Sequence, residues 1–256
     1  MNLTISDTSV FKRLRIVLVD TSHPGNIGAV ARAMKTMGFS DLYLVNPRFS
    51  DALTHPEAIA FASGAQDILS AAKIVDKIED ALLGCHYVAA VSARLREFSP
   101  PIMNPRDFAD KVVNSNALSA ALVFGSERYG LPNEIVLNSN VLINVPANPD
   151  YSSLNLAQAV QILVYECRMQ SLARENSSEK FGVSDVGFQG EMASSEQIEG
   201  MYNHLEQALI EIDFLDPENP KKLMPRLKRL FSRAQLEVEE VNIMRGISKK
   251  MMDWKK

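Results

Sequence analysis

Cysteine is scarce in this chain: only Cys85 and Cys167 occur, far apart and each set among apolar residues. A disulfide framework is therefore not expected, and two buried thiols in a reducing compartment are. Long apolar runs are missing as well, since nothing approaches the roughly 18 consecutive residues that a membrane span needs. The opening residues, MNLTISDTSVFKR, lack a basic stretch leading into an apolar one and do not read as a signal peptide. The expectation is a cytoplasmic protein with no membrane contact. His23, His55, His86 and His204 show no ligand spacing, so no metal is expected. Two nucleotide-binding signatures are also lacking. Gly25 and Gly28 give G-x-x-G, not G-x-G-x-x-G, and no acidic residue stands at the right place beyond them. No Gly-Lys-Ser/Thr follows either, which sets aside a nicotinamide-dependent oxidoreductase and a Walker phosphate loop.

What is present is the composition of an ordinary globular protein, with 46% hydrophobic and 23% charged residues in a chain of 256. That length suits one large domain, or one medium domain with an appendage. The net charge of −4 argues against a polyanionic partner until it is divided along the chain. Residues 221–256 hold 11 Lys+Arg and 4 Asp+Glu, a balance of +7; the remainder holds 16 basic and 27 acidic residues, a balance of −11. A basic tail on an acidic body suggests local contact with nucleic acid. Lys221, Lys222, Arg226, Lys228, Arg229 and Arg233 are the candidate phosphate contacts, and a solvated helix face is the plainer alternative.

Five short apolar runs read as buried strands: 15–20, 41–46, 86–92, 119–124 and 140–145. Their near-continuous Val, Leu, Ile and Ala content suits a mostly parallel sheet covered by helices on both faces, an α/β domain. Helical spacing lies between them, near 26–38 and 154–170. After Leu172 the chain turns polar and loses periodicity, which reads as a linker over 171–195. Helical spacing returns over 196–213, 221–232 and 234–250, a small appendage too thin to bury much core alone. The expected organisation is a domain over 1–170, a flexible linker, and a basic helical extension over 196–256.

Three segments carry candidate chemistry. The first is PGNIGAVARAMKTMG, a helix whose packing face is Ile27, Val30, Met34 and Met37. Arg32 lies on the opposite side, near the small Gly28, Ala29 and Thr36, where a bulky partner has access. A solvated helix arginine is the alternative there, and a helix cap is the alternative for Asn26. The second is LVFGSERYGL, in which Gly125 closes a strand and Glu127 and Arg128 follow at its carboxyl end. Open α/β sheets build sites at that end, and a Gly there permits φ > 0 or close approach of a ligand. The third is NVPANPDYSSLNLAQAV: prolines hold the chain extended, then Ser152, Ser153 and Asn155 stand at the mouth of an apolar helix. Capping by Ser152 or Ser153 is the alternative to ligand binding.

Taken in order, PGNIGAVAR, LVFGSERYGL and VPANPDYSSLNLAQAV resemble the three motifs of the SpoU branch of the SPOUT methyltransferases. The wording ANPDYSSLNLA is similar to members that methylate cytidine or uridine riboses in tRNA. The resemblance covers about 14–170. It implies a C-terminal trefoil knot, which no periodicity shows and which base rates disfavour. It implies a homodimer with each active site completed across the interface. S-adenosylmethionine is the implied cofactor, held by Val91, Ser92, Ala93, Gly125, Val145, Ser152, Ser153 and Leu154. Arg32 is the implied catalytic group, with Asn26, Glu127, Ser153 and Asn155 at the other polar motif positions. The implied reaction is 2′-O-methylation of tRNA at nucleotide 32 of the anticodon loop. An rRNA substrate, and a non-catalytic RNA-binding module with a vestigial cofactor pocket, are the competing readings.

Overall fold

Alternate residues of each apolar run face opposite ways, so a run apolar at every position needs cover on both sides. The computed structural model, which describes residues 9–95, 98–115, 118–177 and 190–254, supplies that cover. A short helix α1 (Val10–Arg13) leads into β1 (Leu14–Val19), α2 (Pro24–Met37) and β2 (Leu42–Val45). Then come α3 (Pro56–Ala62), α4 (Gln66–Ala71), β3 (Lys73–Val75), α5 (Ile78–Leu82) and β4 (Tyr87–Val91). The rest of the sheet unit is β5 (Ile102–Met103), α6 (Pro105–Asn114), β6 (Ala120–Phe124), α7 (Asn133–Leu137), β7 (Val141–Ile143) and α8 (Leu156–Ser177).

All strand pairs are parallel, in the order β3-β2-β1-β6-β4-β7-β5. Ile16, Leu18, Leu44, Leu122 and Phe124 pack on one face with Ile27, Val30 and Met34 of α2, Phe108 and Val112 of α6, and Val160, Leu163 and Val164 of α8. Val17, Val19, Tyr43, Val45 and Val123 pack on the other with Ala81 of α5 and Val136 of α7. The five expected strands are all present. β3 and β5 were not legible as runs: at three and two residues they are edge strands with exposed positions, too short to show a period. Cys85 and Cys167 are free and buried, and burial pushes the Cys167 thiol up to about 12.

α2 starts on Pro24 at its first turn and ends on Gly38, whose φ of 88° is the left-handed cap that stops the helix. Gly28 on this helix is buried. A Cβ there would lie 2.0 Å from the carbonyl oxygen of Ala58, because α3 crosses α2 at that point. Its smallness thus serves helix packing and not the approach of an outside partner, which corrects the sequence expectation.

The sheet unit and the tail meet differently from the expected division. α8 continues through Ser177, so 171–177 are helix and not linker. The central part of that linker, 178–189, lies outside the described residues. Residues 191–193 run beside 236–238, with Ala193 N donating to Leu236 O (3.0 Å) and Val238 N to Glu191 O (2.8 Å). Helices α9 (Ser195–Glu211), α10 (Leu223–Ser232) and α11 (Val238–Asp253) follow. They share two small clusters, one around Met201, Tyr202, Leu236 and Val241 and one around Leu205, Leu209 and Leu215. They also dock on the sheet unit: Ser195 N donates to Cys85 O (3.1 Å), and Lys228 Nζ donates to Asn138 Oδ1 (2.6 Å). Lys228 is further paired with Glu199 and its side chain is only 19% exposed, so it is a structural cation here and not an open phosphate contact. Lys222 lies over the Phe98 ring, while Lys221, Arg226, Arg229 and Arg233 are exposed.

Candidate active site

A parallel sheet puts every strand's carboxyl end on one edge, and the loops after β1, β6, β4 and β7 are therefore adjacent there. Those loops contain all three motifs. A cleft of about 360 Å³ opens between them. It is lined by Val91, Ser92 and Ala93 after β4, by Phe124–Gly130 after β6, and by Val145, Ser152, Ser153 and Leu154 after β7. Every residue assigned to the cofactor from sequence stands on this one cleft. Its walls combine strand-end backbone groups, apolar Val91, Val145, Leu154 and Leu156, and small hydroxyls. Such a surface, of a size within the usual ~300–1,000 Å³, fits a flat heterocycle with a polar edge.

Gly125 is required by the chain itself. The loop after β6 folds back so that Gly130 N donates to Ser126 O (2.9 Å), and a Cβ on Gly125 would lie 2.1 Å from the Gly130 carbonyl carbon. The sequence reading attributed this glycine to φ > 0 or a ligand; the close approach is instead made by the protein's own backbone. Asn144, which sequence reasoning missed, ties the ends of β4 and β7 together by donating to Ser92 O (3.0 Å) and Ala93 O (3.3 Å). Its only sequence signal was an amide inside an apolar run.

The polar motif residues form a chain of hydrogen bonds beside the cleft. Glu127 Oε2 accepts from Ser22 N (3.0 Å) and Ser22 Oγ (2.7 Å), and its Oε1 accepts from Asn26 Nδ2 (2.8 Å). Asn26 Oδ1 accepts from Asn155 Nδ2 (3.0 Å). Asn155 Oδ1 accepts from Ala157 N (2.9 Å) and Gln158 N (3.4 Å), capping α8. The cap is Asn155 and neither Ser152 nor Ser153, whose hydroxyls are exposed at the cleft. Asn26 does not cap α2 either, because its amide is engaged by Glu127 and Asn155. Partial burial pushes the Glu127 carboxyl upward, but its hydrogen bonds from Asn26 and Ser22 outweigh that and hold it below its ordinary value. It is ionised at neutral pH and acts as an acceptor.

Arg32 stands apart. It is exposed on α2, has no hydrogen-bond or ion-pair partner among the described residues, and lines neither this cleft nor its neighbour. Six positions separate it from Asn26, about 9 Å along a helix axis at 1.5 Å per residue. The structure thus joins Asn26, Glu127 and Asn155, sets Ser153 on the cleft, and leaves Arg32 outside. Among the described residues no cluster of His, Cys, Asp and Glu could hold a metal ion, and no helix is long and apolar enough to cross a membrane.

A strand-edge cleft framed by three motif loops makes this an α/β protein whose candidate site lies where open parallel sheets bind their ligands. Residues 13–165 match the SpoU rRNA Methylase family, and the chain belongs to that family. Residues 196–256 match the C-terminal domain of tRNA methyltransferase TrmJ. The chain is 46% identical over 240 residues to the tRNA (cytidine/uridine/adenosine-2′-O-)-methyltransferase TrmJ of Pseudomonas aeruginosa, covering 92% of each chain. It is 44% identical over 250 residues to the tRNA (cytidine/uridine-2′-O-)-methyltransferase TrmJ of Photorhabdus laumondii, covering 96% of this chain and 100% of that one. The crystal structure of TrmJ from Z. mobilis superposes with a TM-score of 0.77 at 31% identity, covering 93% of this chain and 98% of that one.

Proposed function

We propose that this protein is an S-adenosylmethionine-dependent methyltransferase that modifies the ribose 2′-hydroxyl of cytidine and uridine in tRNA, at nucleotide 32 of the anticodon loop. The observation that carries the reading is the convergence of the three motif loops on one cleft, in a chain 44–46% identical to enzymes named for this reaction. The residues expected to hold the cofactor are Val91, Ser92, Ala93, Gly125, Val145, Ser152, Ser153 and Leu154. When bound, S-adenosylmethionine supplies a methyl group already activated on a sulfonium. The protein's share is therefore largely positioning.

In the Ser22–Glu127–Asn26–Asn155 chain both Glu127 oxygens accept hydrogen bonds and Asn26 both donates and accepts, which suits a rigid frame better than a base. Arg32 is the group assigned to the acceptor hydroxyl. A guanidinium is a poor base, since its pKa exceeds about 12. It orients the hydroxyl and screens charge developing on the oxygen, while an RNA phosphate takes the proton. Arg32 reaches neither cleft of its own chain, which supports a homodimer in which the arginine of one protomer completes the site of its partner. The trefoil knot of the C-terminal part of the sheet unit belongs to the same reading. So do the division into a methyltransferase domain ending with α8, a linker between Ser177 and α9 and a tRNA-contacting extension (196–256), and a cytoplasmic location. An intact polar chain disfavours a vestigial pocket, and the match of 196–256 to a tRNA methyltransferase domain favours tRNA over rRNA.

The test is methylation of tRNA transcripts by the purified protein, with nucleoside mass spectrometry of the product. The expected result is 2′-O-methylcytidine or 2′-O-methyluridine at nucleotide 32 and none on rRNA fragments. Absence of ribose methylation in tRNA with cofactor bound would refute the proposal.

A further inference from the structure

The same sheet edge carries a second cleft, on the other side of the loop after β6. It measures about 640 Å³ and is lined by Asp20, Ser22, His23, Arg48, Ser126 and Arg128–Pro132. Ser126, Arg128, Tyr129 and Gly130 border both clefts, so the two share a wall. Three features decide what the second one can hold. Arg48 and Arg128 both face it, and neither has an acidic partner among the described residues. Tyr129 stands between the clefts with 74% of its surface exposed, and the Arg128 guanidinium lies 5.2 Å from its ring centre. The one carboxylate on the described wall, Asp20, already accepts from Asn46 Nδ2 (2.8 Å). Two open cations beside an exposed aromatic ring match an unpaired nucleotide, which offers a phosphate and a flat base. Single-stranded RNA is read by such stacking and phosphate contacts.

Resting on the reading of the first cleft as the cofactor site, we infer that the second cleft holds an unpaired nucleotide of the RNA. Its base lies on Tyr129 and its phosphate between Arg48 and Arg128. The ribose then sits over the shared wall at Ser126, beside the Ser22–Glu127 contact, with its hydroxyl edge toward the first cleft. Arg48 is held for this task from behind: its backbone N donates to Thr21 O (3.1 Å), which fixes the loop after β2 against the loop after β1. Stacking on a tyrosine does not discriminate among bases, because each has a π face. Tyr129 therefore confers affinity and register, not base choice.

The experiment compares full-length wild type, Tyr129→Ala, Tyr129→Phe and Arg48→Ala. Each is measured for tRNA affinity across a salt series, for cofactor affinity by calorimetry, and for thermal stability. Tyr129→Ala is expected to weaken tRNA binding about tenfold or more, and Tyr129→Phe to restore it. Unchanged cofactor affinity is expected of Arg48→Ala, because Arg48 borders only the second cleft. Arg48→Ala is expected to lower the slope of log affinity against log salt by about one. Transcripts carrying 5-iodouridine at the target position should photocrosslink to Tyr129. Wild-type affinity and slope in both substitutions, or crosslinks confined to other residues, would overturn the inference. If wild type binds and crosslinks but does not methylate, the functional reading fails while the nucleotide cleft stands.

Discussion

Arg32 stands on the exposed side of α2, where a substitution touches no core residue and typically costs within about 0.5 kcal/mol. Arg32→Ala is therefore expected to fold and bind cofactor like wild type while losing methyl transfer, by roughly a thousandfold if about 4 kcal/mol of transition-state interaction is lost. Arg32→Lys should also be poor, since an ammonium cannot reproduce the planar fork of a guanidinium. Single-turnover methylation with parallel melts decides this, and near-wild-type turnover by the alanine variant would remove Arg32 from the mechanism. Glu127 is the opposite kind of charge, held in a frame. Its carboxyl lies lower in the folded chain than its unfolded value of about 4.3, so it contributes stability above that value. The contribution is lost as pH falls through the lower, folded value. Glu127→Gln should cost about 1 kcal/mol at neutral pH, a low figure because the group is half-exposed and screened. It should also reduce the loss of melting temperature on acidification below about pH 4.5. Melts of both proteins from pH 7 to pH 3 test the sign: an equally steep acid loss in the glutamine variant would show that Glu127 is not the titrating group.

At the scale of elements, the packing of α2 against α3 depends on one missing methyl group. Gly28→Ala places a Cβ 2.0 Å from the Ala58 carbonyl oxygen, a backbone atom that cannot swing aside. The expected cost is about 2–3 kcal/mol, read as a lower denaturation midpoint with an unchanged slope; a wild-type midpoint would mean that the two helices are free to separate. This contact also shows what sequence reveals and what it conceals. The strands were legible because burial on both faces leaves an uninterrupted apolar run. The residues proposed for the cofactor were named through the resemblance to the three motifs, several of them standing at the ends of those runs. Gly28 was visible as a small residue, but the helix that uses its smallness lies thirty residues on and has no motif of its own. Ser22 and Asn144 were invisible for a related reason. Each acts through a hydrogen bond across strands distant in sequence, a kind of partnership that no local spacing encodes.

At the scale of the whole molecule, a nearly neutral sheet unit carries a helical tail, basic only from Lys221 onward, docked through Ser195–Cys85 and Lys228–Asn138. With Lys228 committed to that docking and Lys222 lying over the Phe98 ring, the exposed Lys221, Arg226, Arg229 and Arg233 are the remaining cations of α10 and its flanks. A chain ending after Ser177 keeps α8 whole, including Arg174, which donates to Val113 O. It is expected to bind cofactor like the full chain and tRNA at least tenfold more weakly, with a shallower salt dependence. Filter binding across a salt series, after sedimentation to confirm an unchanged oligomeric state, tests this. Equal affinity and slope would place RNA recognition wholly on the sheet unit.

The strand order has a consequence for how the chain reaches this state. β1 pairs with β2 soon after both are made, but its other edge waits for β6, where Leu14 meets Ala120. The next pairing, of β4 with β7, needs residues as late as Ile143. Contacts between such distant segments form slowly, because loop closure must precede any gain from pairing. On a ribosome adding ~5–20 residues per second, β1 therefore spends several seconds with the N–H and C=O groups of one edge unpaired. The two-stranded piece made first contains α2 and Arg32 but no cleft. The cleft is the last part of the sheet unit to come into being, and a truncated translation product has no means of capturing a nucleotide there.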